Sequence, residues 1–300
     1  MGMTRREFAG GALAMAAAGF APGVGAETLD ERLDRWQRET DEVKSEVYKQ
    51  YMVDGDTRGL KSLENLEAAF ERVLREVRET KVGDVPAVWS VYNMGYVVKT
   101  RESLFSIDLV HRRALEFAPL LDFALITHNH DDHYTEEFYS AMDGAGKTVV
   151  SNFKDNYGGY RGKNGYGGGF TRANKMFAFK DVEIRTSLTD HNGYLVDFTT
   201  AFEIKVGDFV IYHSGDCANV EKLNPTRTPD LWFVHPYCGM KTEDGVAKFH
   251  PKLTAIAHLN ELGHARDRWR WTYQDGYRAK AAAEKAGGKA IVPLWGDRIV

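Results

Sequence analysis

The fold of this chain is decided by the stretch Phe123-Ala124-Leu125-Ile126-Thr127-His128-Asn129-His130-Asp131-Asp132-His133. Its first five residues are apolar or β-branched without interruption, which is typical of a buried strand. Three histidines and two aspartates follow within six residues. Such side chains are rarely buried without partners, and imidazole and carboxylate groups are ligands that zinc and related divalent ions prefer. The stretch therefore predicts a metal-binding segment at the end of a strand.

The spacing within this segment also favours metal binding. In an extended backbone, residues two apart project to the same side, so His128 and His130 can bind one ion together. A turn after them would bring Asp132 and His133 to a second ion nearby. A purely structural explanation would require a separate hydrogen-bond partner for each of these buried groups.

The segment reads His-x-His-x-Asp-His from His128 to His133, and it resembles the signature of the metallo-β-lactamase superfamily. Later motifs of that family follow in the same order: Thr189-Asp190-His191, Ser214-Gly215-Asp216 and Ala255-Ile256-Ala257-His258. The resemblance extends over residues 86–300. It implies an α+β fold, namely a four-layer αββα sandwich in which two sheets are covered by helices.

The resemblance also implies the ligands of two divalent metal ions, which would be zinc, with manganese or iron as alternatives. One ion would be bound by His128, His130 and His191. The other would be bound by Asp132, His133 and His258, with Asp216 between the two ions. His264 competes with His258 for the last position, and His258 is preferred because the apolar run 253–257 leads directly to it. Further candidates, which would orient the ligands, are Glu261, His264, His213, His235 and Asp131.

These ligands would support hydrolytic chemistry. A pair of divalent ions can lower the pKa of a shared water and polarise a carbonyl or phosphoryl oxygen. Asp132 is the candidate catalytic residue, which would orient the attacking water or carry a proton to the leaving group. The chain has no Gly-x-Ser-x-Gly motif that would indicate a serine nucleophile. We therefore predict a binuclear metal-dependent hydrolase.

The bond that is cleaved is less closely defined. Asp216 stands where the zinc β-lactamases of this family have a cysteine, which argues against penicillin hydrolysis, although Cys217 is its neighbour. The layout resembles the branch that contains ascorbate-6-phosphate lactonase and N-acyl phosphatidylethanolamine phospholipase D. That resemblance implies cleavage of an ester, a lactone or a phosphodiester. Two alternatives stay open: a mononuclear iron dioxygenase of the same fold, and a non-catalytic metal-binding protein.

The expected partner is a small-molecule substrate, and the composition is compatible with an anionic one. The 39 basic and 43 acidic residues give a net charge of −4, which argues against nucleic acid because phosphate backbones require a basic surface. Arg266, Arg268 and Arg270 alternate with Trp269 and Trp271; they would hold an anion or belong to a solvated helix with two buried tryptophans. The two cysteines, Cys217 and Cys238, are expected to be buried free thiols rather than a disulfide.

The first 26 residues resemble an export signal. Thr4-Arg5-Arg6-Glu7-Phe8 precedes an apolar run at 9–21, and Val24-Gly25-Ala26 provides a small-residue cleavage site. The run is too short and too rich in alanine and glycine for a stable membrane span. We therefore expect a twin-arginine signal peptide at 1–26 and a periplasmic or secreted protein.

Residues 27–85 are predicted to form an N-terminal helical appendage to a catalytic domain at 86–300. Thr28 and Glu31 have capping-box spacing at the start of one helix, and a second helix starts near Ser62. The apolar stripe of the second helix comprises Leu63, Leu66, Phe70, Val73 and Val77. The appendage would pack on the domain or supply a face for a homo-oligomer.

From residue 86 onward, short strands alternate with a few helices, which are predicted at 136–142 and 268–286. Residues 156–170 differ from this pattern because seven glycines fall within 158–169. This segment is a surface loop or a lid over the active site. As a lid it would line a pocket with Tyr157, Tyr160, Tyr166 and Phe170.

Overall fold

A computed structural model describes residues 27–153, 176–192, 194–265 and 268–300. The predicted signal peptide, the glycine-rich segment 156–170 and Arg266 lie outside the described residues. Within the described ranges, no helix combines the length and the apolar character needed to cross a bilayer.

Two mixed β-sheets pack face to face and are flanked by helices, which confirms the predicted sandwich. The first sheet has the order β1-β2-β3-β4-β5, with strands β1 (Ala87–Tyr92), β2 (Gly95–Lys99), β3 (Leu104–Ile107), β4 (Phe123–Leu125) and β5 (Thr148–Val150). The second has the order β12-β11-β10-β9-β8-β7-β6, with strands β6 (Met176–Phe179), β7 (Val182–His191), β8 (Leu195–Val206), β9 (Phe209–His213), β10 (Leu231–Val234), β11 (Thr254–Ile256) and β12 (Ala290–Ile291).

Apolar side chains of both sheets fill the space between them. Tyr96 of the first sheet stacks on Phe233 of the second, with ring centroids 3.7 Å apart. Phe123 of β4 likewise stacks on Phe179 of β6 at 4.3 Å. Burial of each such side chain contributes about 1.5–3 kcal/mol to folding. The sandwich core therefore holds the strands of both sheets in one rigid arrangement.

The parallel strands determine where the polar motifs meet. Strands β3, β4 and β5 run parallel, and so do β9, β10, β11 and β12. Because the carboxyl ends of parallel strands lie at one edge of a sheet, the residues that follow them are neighbours. The residues that follow β4, β9, β10 and β11 include His128, Asp216, His235 and His258.

The N-terminal region contains three helices rather than the two expected: α1 (Leu29–Asp41), α2 (Ser45–Asp54) and α3 (Lys61–Glu79). The capping box of Thr28 and Glu31 is present. The helix is interrupted between α1 and α2, where the Arg270 guanidinium donates to the carbonyls of Thr40 and Val43. The predicted stripe of α3 is fully buried in a core shared with β1. That stripe is therefore covered by the chain itself, and a homo-oligomer through other faces of the N-terminal helices stays a prediction.

Helix α4 (Glu136–Gly144) confirms the prediction at 136–142, whereas α5 (Thr242–Phe249) was not anticipated. The last helix, α6 (Tyr273–Lys285), starts later than predicted. Thr272 and Asp275 form its capping box, and Trp269 has a left-handed backbone with φ 67°. Residues 268–272 are therefore a loop, and the expectation of two buried tryptophans was wrong for Trp269, which is 65% exposed.

Candidate metal centre

The structure brings all seven predicted ligands together at the edge where the parallel strands end. They come from the loop after β4, the end of β7, the turn after β9 and the residues after β11. All are buried except His130, which is partly exposed. Metal binding by these residues stays a prediction, but their convergence is a property of the fold.

One group consists of His128, His130 and His191, whose candidate ligand atoms all lie within 4.8 Å of one another. His128 Nε2 and His130 Nδ1 are 3.1 Å apart. Phe198 contacts all three rings, with centroid distances of 5.7, 5.1 and 5.8 Å. An apolar side chain thus forms the floor of this half of the site and limits the orientations of the three imidazoles.

The second group consists of Asp132, His133 and His258. Asp132 Oδ2 lies 2.9 Å from His258 Nε2 and 3.5 Å from His133 Nε2. The Asp216 carboxylate lies 3.4 Å from His133 Nε2 and 3.5 Å from the Nε2 atoms of His191 and His258. Asp216 therefore contacts both groups, which is the position predicted for a bridging ligand.

Unpaired atoms in this cluster are consistent with a divalent cation. Within the described part of the chain, His133 Nε2, both ring nitrogens of His191, Asp216 Oδ1 and His258 Nδ1 are buried without a hydrogen-bond partner. Polar groups that are buried without a hydrogen-bond partner are costly. Several of them at one place therefore indicate a binding partner such as a cation. Imidazole nitrogens with carboxylate oxygens are the donor set of zinc and related ions. The residues present therefore fit a divalent metal centre.

In the metal-free protein the electrostatics favour the metal-binding protonation states of His128, His130 and the two aspartates, whereas nearby carboxylates, Asp216 first, outweigh burial and raise the pKa of His133 and His258 above its usual value. Burial lowers the pKa of His128 well below its usual value and that of His130 to about 4, with neighbouring histidines adding to the effect. Burial alone would raise the pKa of Asp132 and Asp216, but nearby imidazoles, His133 first, hold both well below the usual range. Ionised carboxylates and neutral imidazoles are the forms that bind metal ions.

Sequence reasoning missed Asp108, which orients two of the predicted ligands. Its buried carboxylate accepts hydrogen bonds from Thr127 N (2.7 Å), Thr127 Oγ1 (2.6 Å) and His133 Nδ1 (2.8 Å). The Thr127 hydroxyl donates to Asp108, so it accepts from His128 Nδ1 at 3.0 Å. Both histidines therefore direct Nε2 at the site. The sequence did contain an indication of this role, because Asp108 directly follows the apolar strand β3, as the histidine cluster follows the apolar run 123–127.

Gly215 determines how Asp216 is presented. Its φ is 54°, in the left-handed region, and a Cβ at this position would lie 2.5 Å from Thr199 Cγ2 and 3.1 Å from Thr127 Cβ. Only glycine fits such a close approach without displacing its neighbours. His213 Nδ1 accepts a hydrogen bond from Gly215 N at 3.1 Å, which supports the same turn. His213 therefore contacts the turn that carries Asp216, and its role in orienting a metal ligand stays a prediction.

The remaining candidates differ in position. His258, rather than His264, contacts both Asp132 and Asp216. The His235 ring stacks on that of His258 at 4.0 Å, and His235 forms a possible ligand group with Asp216 and His258. Asp131 is exposed, so its expected role beside the ligands was wrong.

Two expectations about residues near the site have clear outcomes. Arg270 is buried and its guanidinium donates to four backbone carbonyls, so the expectation that it holds an anionic substrate was wrong. Cys217 and Cys238 are buried free thiols, as expected. Cys238 was not anticipated at the site, yet it forms a possible ligand group with His191 and Asp216.

Comparisons with known proteins agree with this fold. Residues 96–244 match the family model described as the beta-lactamase superfamily domain. No curated protein gives a significant match to the chain.

Similar solved structures share the fold at low sequence identity. The metallo hydrolase Igni18 of the archaeon Ignicoccus hospitalis has a TM-score of 0.52 at 17% identity, with 72% of this chain and 98% of that chain covered. The metallo-beta-lactamase fold protein YhfI of Bacillus subtilis has a TM-score of 0.50 at 13% identity over 71% and 98%. An isothiocyanate hydrolase from Delia radicum gut bacteria has a TM-score of 0.50 at 14% identity over the same shares, 71% and 98%.

Proposed function

We propose that this chain, which carries a domain of the metallo-β-lactamase superfamily at residues 96–244, is a metal-dependent hydrolase. The observation that carries the proposal is the convergence of buried imidazoles and carboxylates whose ligand atoms lack other partners. When bound, divalent metal ions would supply a water of lowered pKa and polarise the bond to be cleaved.

The proposed ligands divide between two ions. His128, His130 and His191 would hold one, Asp132, His133 and His258 the other, and Asp216 would bind both. Asp132 is also the proposed catalytic residue. Asn93 Nδ2 donates to the Asp132 main-chain oxygen at 3.0 Å and lies 3.4 Å from its Oδ2. These contacts hold the carboxylate in place, where it would orient the attacking water and accept its proton.

The proposed bond is an ester, a lactone or a phosphodiester. An aspartate at position 216, where the zinc β-lactamases have a cysteine, supports a substrate other than a penicillin.

The experiment combines metal analysis with a hydrolase screen. The purified protein is stripped with a chelator and reloaded with Zn²⁺, Mn²⁺ or Fe²⁺. It is then assayed on nitrophenyl esters, lactones and bis-nitrophenyl phosphate. We expect bound metal and hydrolysis of one of these classes, and loss of both in His128→Ala. His250→Asn is the matched control, because His250 is exposed at the end of α5.

Two outcomes would contradict the proposal. A single bound iron with oxygen uptake and no hydrolysis would indicate the dioxygenase. Bound metal without turnover of any substrate class would indicate a metal-binding protein.

We also propose that the protein is exported by the twin-arginine route. The support is the pair Arg5-Arg6 before the apolar run and the small-residue site at 24–26. Replacement of both arginines by lysine should leave the unprocessed protein in the cytoplasm, measured by fractionation. Unchanged export of that variant would contradict the proposal.

A further inference from the structure

The loop that follows His258 holds a second carboxylate–imidazole pair, Glu261 and His264, beside the metal centre. Glu261 is buried, and its carboxylate is held on both oxygens. Oε1 accepts hydrogen bonds from Tyr92 Oη at 2.8 Å and Gly263 N at 2.9 Å, and Oε2 accepts one from His264 N at 2.6 Å. The carboxylate therefore has a single fixed orientation.

The His264 ring is placed by this carboxylate. Its Nδ1 is enclosed and lies 3.2 Å from Glu261 Oε2, out of line for a strong hydrogen bond. Catalytic hydrogen bonds are often poorly aligned until substrate binds. With Nδ1 facing the carboxylate, Nε2 lies on the opposite edge of a ring that is 24% exposed. One nitrogen is thus oriented by the protein, and the other has no hydrogen-bond partner among the described residues, which exclude 266 and 267.

The ring also lies beside the proposed ligands without joining them. It is nearly parallel to the His258 ring, with centroids 6.2 Å apart and an angle of 15°. The exposed indole of Trp269 meets its other side at 5.9 Å and 74°. His258 makes the contacts with Asp132 and Asp216, so His264 occupies the next position outward.

The loop from His258 to His264 is held in place by backbone geometry and by hydrogen bonds. His258 and Asn260 have left-handed backbones, with φ of 58° and 53°, which cost energy and persist only where surrounding contacts enforce them. The Arg270 guanidinium donates to Leu262 O at 2.6 Å and His264 O at 2.8 Å. The same guanidinium reaches the break between α1 and α2, so the N-terminal helices help to hold His264 in place.

We propose that His264, oriented by Glu261, contacts the substrate and protonates the leaving-group oxygen; this rests on the proposed hydrolase function. The bond between the acyl carbon or phosphorus and that oxygen breaks, and its electron pair stays on the oxygen. The doubly protonated His264 ring passes its Nε2 proton to this oxygen, which gives an alcohol and leaves the ring neutral with its proton on Nδ1. The attacking water supplies the new hydroxyl and its proton passes to Asp132. Asp132 then releases this proton to solvent, and solvent reprotonates His264.

The test compares two substrates with the same acyl or phosphoryl group, one with a nitrophenol and one with a simple alcohol as leaving group. A nitrophenolate leaves without protonation, whereas an alkoxide does not. We expect His264→Gln to lower kcat about 100-fold for the alkyl substrate, the lower range for general acid catalysis, and to change nitrophenyl turnover little. Glu261→Gln should act in the same direction with a smaller loss, and KM should change little in both variants.

Two readouts do not depend on activity. His264→Gln should keep the wild-type metal content, whereas His258→Gln should lose metal. Nitrogen-15 spectra of the imidazoles should show protons on both ring nitrogens of His264 in its donor form and on Nδ1 in its neutral form, and Glu261→Gln should shift the Nδ1 signal. His264→Gln is the main variant because the side chain is partly exposed and its loss should leave the fold intact.

Equal losses on both leaving groups with full metal content would overturn the inference and leave the hydrolase intact. Loss of metal in His264→Gln would also overturn it, because His264 would then be a ligand. A wild-type protein that cleaves neither substrate would overturn the proposed function as well.

Discussion

Replacing Asp108 with asparagine would remove the carboxylate that orients two proposed ligands while preserving the size of the side chain. Three donors face its two oxygens: the amide and hydroxyl of Thr127 and the Nδ1–H of His133. An asparagine has only one acceptor oxygen. Whichever way its amide is turned, an N–H group must face at least one of these donors.

The expected loss follows from these bonds. Hydrogen bonds to a charged group contribute about 1.5–3 kcal/mol each, and the variant loses at least one of them and its charge. We expect the free energy of unfolding of the metal-free protein to fall by about 3 kcal/mol. Since His133 loses its fixed orientation, zinc affinity should fall about 10- to 100-fold.

Urea unfolding in the presence of a chelator would measure the first effect, and competition with a chromophoric zinc chelator the second. Asp131→Asn is the matched control, because this aspartate lies in the loop after β4, among the proposed ligands, with its side chain exposed. Wild-type zinc affinity in Asp108→Asn would refute the reasoning, as would an equal loss in the control.

Three further predictions concern the turn at Gly215, a buried histidine and the metal itself. Gly215→Ala should lower the free energy of unfolding by about 3 kcal/mol, because the added Cβ meets Thr199 and the backbone is left-handed; urea unfolding measures it, and an unchanged midpoint would contradict it. Burial, with Arg112 and Arg113 adding to it, holds the pKa of His111 well below its usual value. Below pH about 6.5 the unfolded chain then binds more protons than the folded chain, so the free energy of unfolding should fall from pH 7 to pH 5. The fall should be smaller in His111→Gln, and an equal fall in both proteins would refute this. Adding zinc to the chelator-treated protein should raise Tm, because zinc at a hundredfold excess over its Kd stabilises the folded state by about 2.7 kcal/mol. An equal rise of Tm in His133→Ala would contradict the ligand assignment.

Much of the fold and the site could be predicted from local patterns. The alternation of apolar residues marked most strands, and Thr28 with Glu31 marked a helix start that the structure confirms. The spacing of His128 and His130 placed two candidate ligands on one side of the segment, where the structure has them 3.1 Å apart. These features depend on residues a few positions apart, whose geometry is set by the backbone itself.

The remaining features depend on contacts between distant parts of the chain. The sequence left Arg270 as an anion ligand or as part of a solvated helix, and the fold instead placed its guanidinium on the carbonyls of Thr40 and Val43. Asp108 had no partner in its own segment, and Glu261 meets Tyr92 from another part of the sandwich. Left-handed backbones at Asp108 and His258 have no sequence signal comparable to glycine, because tertiary contacts enforce them. The sequence therefore determined which residues could bind metal, and the tertiary structure decided which other side chains hold them in position.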